Sequence, residues 1–88
     1  MKEQQVTVTN RAGIHARPAA LIVQTASKYQ SKIMFLKENE EINAKSIMGI
    51  ITLGAGYGTK ITIQAEGPDE EAAVQTLVGI FERRFEEQ

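Results

Sequence analysis

The spacing of apolar residues along this chain switches between every second position and every third or fourth, and the order of those periods restricts the folds open to it. Val6-Thr7-Val8-Thr9 alternates apolar with polar β-branched residues, which predicts a strand over Gln5 to Asn10 with one buried face. Asn10-Arg11-Ala12-Gly13 breaks that strand. From Ala16 to Tyr29, the residues Ala19, Ile22, Val23 and Ala26 mark the inner stripe of a helix, with Ala20, Leu21, Gln24 and Thr25 facing outward. Ser31 to Lys37 carries the apolar run Ile33-Met34-Phe35-Leu36, a strand by its length. Glu38-Asn39-Glu40 is a turn, and Glu41 to Ala44 returns as a hairpin arm.

Ser46 stands where an N-cap belongs, ahead of a short helix over Ile47 to Leu53. Three glycines in Gly54-Ala55-Gly56-Tyr57-Gly58 make a turn, and Thr59 to Glu66 alternates through Ile61, Ile63 and Ala65 as the last strand. Pro68-Asp69-Glu70-Glu71 opens a long helix whose core stripe is Val74, Leu77, Val78, Phe81 and Phe85, with Arg83-Arg84 at the opposite pole of its dipole. The order is strand-helix-strand-strand-helix-strand-helix, which contains the split β-α-β arrangement. Strands with one apolar face need a cover on one side only. The expected fold is therefore α+β: an open-faced sandwich with a four-stranded antiparallel sheet and three helices on one face, forming a single domain over residues 1–88.

Chemistry concentrates around the only histidine, His15, in Gly13-Ile14-His15-Ala16-Arg17-Pro18-Ala19-Ala20. A solitary histidine is most often an ordinary surface or core residue. This one lies where a glycine turn meets a helix start marked by Pro18, whose missing N–H costs little in a first turn. The positive end of the helix dipole disfavours the charged imidazolium and leaves a neutral nitrogen able to attack phosphorus. Once phosphorylated, the ring would find helix-start N–H groups and the Arg17 guanidinium near the new oxygens. Small neighbours at Ala16, Ala19 and Ala20 leave the approach uncrowded.

Other chemistries fit less well. With no cysteine and one histidine, a disulfide framework or a zinc cluster has no ligands, so no metal or cofactor is expected. The net charge of -1 argues against a nucleic-acid binder. Met1 to Lys45 holds seven Lys/Arg against four Asp/Glu, a basic bias that would steer acidic partners if it surrounds His15. No apolar run approaches a membrane span and Met1 to Gln5 has no apolar signal core, so a cytoplasmic protein is expected. Gly54 to Lys60 lacks the order of a phosphate-binding loop, because here Thr59-Lys60 leads into a strand. A hydrolytic relay would need Ser27, Ser31 or Ser46 brought to His15 by folding. Ile47, Met48 and Ile51 cannot all point inward on a helix of about two turns, so some of them, with Ala20 and Leu21, form an exposed apolar patch.

The stretches 13–20, 23–29 (Val23-Gln24-Thr25-Ala26-Ser27-Lys28-Tyr29) and 45–50 (Lys45-Ser46-Ile47-Met48-Gly49-Ile50) together resemble HPr, the histidine-containing phosphocarrier family of the phosphoenolpyruvate-dependent sugar phosphotransferase system. Asn10-Arg11 and Ile51-Thr52 depart from the family's pattern. The resemblance implies that His15 takes a phosphoryl group on Nδ1 from phosphorylated Enzyme I and passes it to sugar-specific IIA components, with Arg17 stabilising its charge. It implies a monomer that docks these partners through Ala16, Ala20, Leu21, Lys45, Ile47, Met48 and Ile51. In many relatives with this pattern a bifunctional serine kinase/phosphorylase modifies the serine matching Ser46, and the product recruits a catabolite-control repressor. A nitrogen-branch phosphocarrier, or an adaptor that uses the same patch without chemistry, are the alternative readings.

Overall fold

The computed structural model describes residues 1–86. Its elements are β1 (Lys2–Thr7), α1 (Ala16–Ala26), β2 (Lys32–Lys37), β3 (Glu40–Asn43), α2 (Ile47–Leu53), β4 (Lys60–Glu66) and α3 (Glu70–Glu82), in the expected order. The strands form one antiparallel sheet, β1-β4-β2-β3, and the three helices cover one face of it. β4 shows how alternation makes this layer: Ile61, Ile63 and Ala65 are buried, while Thr62 and Gln64 between them remain partly exposed. Phe35 and Ile33 of β2 pair in register with Ile63 and Ala65. Ile22 of α1, Ile50 and Leu53 of α2, and Leu77 and Phe81 of α3 close the core over them. Each such side chain contributes about 1.5–3 kcal/mol by leaving water.

Several boundaries differ from the expectation, each for a physical reason. β1 begins at Lys2 and ends at Thr7, because its polar first half pairs with Gln64 to Thr62 of β4 whatever its side chains. Val8 continues the pairing only through the 58–59 turn, giving its N–H to Thr59 and accepting from Gly58. α1 ends at Ala26, since Lys28 and Tyr29 bond three residues back rather than four. Thr25, expected outside, is buried on the side of α1 that faces Thr76 and Ile80 of α3. β3 starts at Glu40, opposite Lys37, so the turn is Glu38-Asn39. β4 starts at Lys60, one residue later than expected.

α3 departs most. It opens at Glu70, after Asp69, and stops at Glu82, so Arg84 lies beyond its last turn. The chain then makes a turn in which Arg84, Phe85 and Glu86 all have positive φ, between 51° and 56°. Phe85 is still a core residue, with its N–H on the Ile80 carbonyl and its ring 4.9 Å from Phe81. At the other end the Asp69 carboxylate caps nothing in its own helix. It accepts from the N–H groups of Gln30 and Ser31 and from the Ser31 hydroxyl, tying α3 to the start of β2.

The glycine-rich turn after α2 is a dock for the segment that precedes α1. Gly13 has φ 73°, and a Cβ there would lie 2.8 Å from both the Ala55 carbonyl oxygen and the Gly56 Cα. Ile14, itself buried, donates its N–H to Ala55 at 2.8 Å. Gly13→Ala therefore meets backbone on one side and an unfavourable φ on the other, and the expected loss is about 1–3 kcal/mol in denaturant unfolding. Asp69 gives a pH signature. Its bonds from the Ser31 hydroxyl, then from Gln30, hold the carboxyl below its ordinary value, so the unfolded chain binds its proton more tightly. The resulting stability is complete above about pH 4 and is lost as pH falls through the lower folded value. Asp69→Asn should melt below the unsubstituted protein at pH 7, with the gap narrowing below pH 4.

Candidate functional site

His15 is the N-cap of α1, with extended backbone (φ -109°, ψ -165°). Its carbonyl receives the Ala19 N–H at 2.9 Å, while its side chain makes no capping bond. The imidazole is thus left at the surface, exposed, with its backbone held on both sides. Before it come the Gly13 turn and the buried Ile14; after it, Pro18 is buried in the first turn and has no N–H to offer. The N–H groups of Ala16 and Arg17 lie at the helix start, ahead of the i to i−4 ladder that Ala19 begins. Their dipoles bring positive potential to this end of α1.

His15 and Arg17 share a groove of about 520 Å³ with Pro18, Ala20, Leu21 and Gln24 of α1. Its opposite wall is Arg84, Phe85 and Glu86, and Asn10, Arg11 and Ala12 complete it. Three arginines therefore border one groove. Leu21, 36% exposed, and the half-buried Ala20 give it an apolar edge; Ala16 is exposed but outside the lining. Ser27, Ser31 and Ser46 do not line it, so no serine relay forms there. Among the described residues no group of three or more His, Cys, Asp or Glu could hold a metal ion. No described helix is long and apolar enough to cross a membrane.

α2 carries the rest of the expected patch. Ile50 and Leu53 face inward, which leaves Ile47, Met48 and Ile51 at 39, 67 and 43% exposure. Large apolar residues held outward on a helix only seven residues long form a surface suited to contact. Lys45 is more constrained than a docking cation need be: its ammonium donates to the Tyr29 carbonyl at 2.7 Å, just past α1. Ser46 is the N-cap of α2, its Oγ accepting from Gly49 N at 3.1 Å.

Reading the chain alone missed Asn10, Arg11, Arg84 and Glu86 as groove residues, and Tyr57 as an exposed aromatic at 69%. Asn10 had a local signal, since asparagine shortly before a glycine is a turn-forming residue type. Arg84 and Glu86 had none, because only the packing of α3 across the sheet carries its end back to residue 15.

The comparisons agree with this geometry. The family described as PTS HPr component phosphorylation site matches residues 2–83. Phosphocarrier protein HPr of Treponema pallidum (strain Nichols) is 50% identical over 88 residues, 100% of each chain. The crystal structure of HPr-C-His from Thermoanaerobacter tengcongensis superposes with a TM-score of 0.96 at 51% identity, covering 100% of this chain and 99% of that one. The crystal structure of the HPr dimer from the same organism gives 0.78 at 52% identity, over 97% and 98%. A glycine-docked histidine at a helix start, on a sheet and helices that superpose so closely on these proteins, leaves one conclusion: the chain belongs to the HPr family of phosphocarriers of the phosphotransferase system.

Proposed function

We propose that His15 accepts a phosphoryl group on Nδ1 from phosphorylated Enzyme I and delivers it to sugar-specific IIA components in the cytoplasm. The observation that carries this reading is an exposed imidazole at the N-cap of α1 that makes no capping bond of its own. A relay must bind its phosphoryl group loosely enough to give it up, so charge stabilisation without burial suits the task. Arg17 and the N–H groups of the first turn supply that stabilisation, and the wet groove lets either partner reach phosphorus. Binding falls to the apolar surface of Ala16, Ala20, Leu21, Ile47, Met48 and Ile51, with Lys45 at its margin.

Ser46 is the second proposed modification site, for an ATP-dependent serine kinase/phosphorylase. As an N-cap it already directs its oxygen at the α2 start, where roughly two added negative charges are favoured by the helix dipole. The fold would survive while the potential of the docking surface reversed, which is how a catabolite-control repressor would tell the two forms apart.

Incubation with Enzyme I and labelled phosphoenolpyruvate should place one acid-labile phosphate on the protein and none on His15→Ala. An unlabelled wild-type protein would overturn this reading and leave a nitrogen-branch phosphocarrier or an adaptor that uses the same surface. Incubation with ATP and the serine kinase should label wild type and spare Ser46→Ala, and that substitution should also cost about 1 kcal/mol of stability through the lost cap. Label retained in Ser46→Ala would place the modification elsewhere.

A further inference from the structure

We propose that Asn10 is a positioning residue for the phosphoryl transfer, setting the direction in which His15 leaves the chain; this rests on His15 being the phosphoryl acceptor. Asn10 is 4% exposed although it stands in a surface loop beside the His15 groove. Its backbone carbonyl accepts the Gly13 N–H at 3.1 Å, and its side-chain Nδ2 donates to the Gly13 carbonyl at 2.7 Å. That carbonyl belongs to the peptide joining Gly13 to Ile14, whose N–H is held by Ala55 at 2.8 Å. One planar peptide group is therefore gripped at both ends, by Asn10 on the oxygen and by Ala55 on the nitrogen.

The grip matters because of the residue it follows. Gly13 at φ 73° has no side chain to resist rotation, so the plane that follows it depends on its two hydrogen bonds, beside the burial of Ile14, to hold its direction. Let the oxygen go, and the plane tilts about the remaining bond to Ala55, carrying the Ile14–His15 link and the ring with it. Nor is the amide there as a filler. Among the described residues its Oδ1 is buried without a partner, a cost that an apolar side chain of similar size would avoid. The half of the side chain in use is the donor.

Transfer from phosphorylated Enzyme I, followed by rapid quench at a temperature where melting curves show every variant folded, tests this. In Asn10→Ala the donor is lost without added charge, and in Asn10→Asp it is lost with shape retained. Both should lower kcat by roughly ten- to a hundred-fold, on the scale that an ångström of misplacement costs, with KM within about two-fold because the docking residues are untouched. Asn10→Ser, which restores a shorter donor, should recover part of the rate. If Asn10→Ala does not fold, the ratio of the Ser to the Asp variant decides. A wild-type kcat in Asn10→Ala, slowing confined to the Asp variant, or no recovery in the Ser variant would overturn the assignment. Wild-type protein that takes no label at all would overturn both this and the reading of His15.

Discussion

The site depends on one backbone contact, the approach of the Gly13–Ile14 peptide to the Ala55–Gly56 turn. No side chain fits between them, and the Ile14 N–H closes on the Ala55 carbonyl. That contact joins the start of α1 to the end of α2, two segments forty residues apart. The glycine cluster itself, which a phosphate-loop reading would misassign, serves its own turn, with Gly54 and Gly58 at positive φ, while the missing side chain that permits the approach is that of Gly13. Once the segment is docked, His15 has its backbone committed to α1 and its ring outside.

The fold meets two opposed needs. A phosphoryl carrier requires a reactive ring in water, within reach of different macromolecules, yet aimed to a fraction of an ångström. Here the aim comes from the core below: Ile14 and Pro18 on either side of the ring are buried, and α1 is fixed to the sheet by Ala19, Ile22 and Ala26. Nothing seals the ring itself. The same logic governs α2, where Ile50 and Leu53 anchor a short helix so that Ile47, Met48 and Ile51 can stay exposed. In both places burial of one face gives rigidity to a face left wet.

How much of this could be read from residues alone follows from how local each feature is. The element order, the Ser46 cap and the outward α2 residues come from spacings within one or two turns, and these agree with the structure. So does the place of His15, marked by Gly13 behind it and Pro18 ahead. β1 was displaced because Lys2 to Gln5 have no apolar alternation, their strand being imposed by β4. Thr25 was turned the wrong way because its neighbour is α3, fifty residues on. Arg84 and Glu86 reach the groove through a turn of positive-φ residues without a glycine, a conformation no residue preference announces. The geometry was thus legible where sequence neighbours make it, and hidden where the sheet brings distant segments together.

The proposed relay turns on which atom holds the phosphorus. Nuclear magnetic resonance of the nitrogen-15-labelled protein, phosphorylated through Enzyme I, reads this directly. The expected result is a nitrogen–phosphorus coupling at Nδ1 of His15, with the Ile14 amide still protected from solvent exchange. Phosphorus coupled to Nε2, or bonded elsewhere with both ring nitrogens of His15 uncoupled, would contradict it.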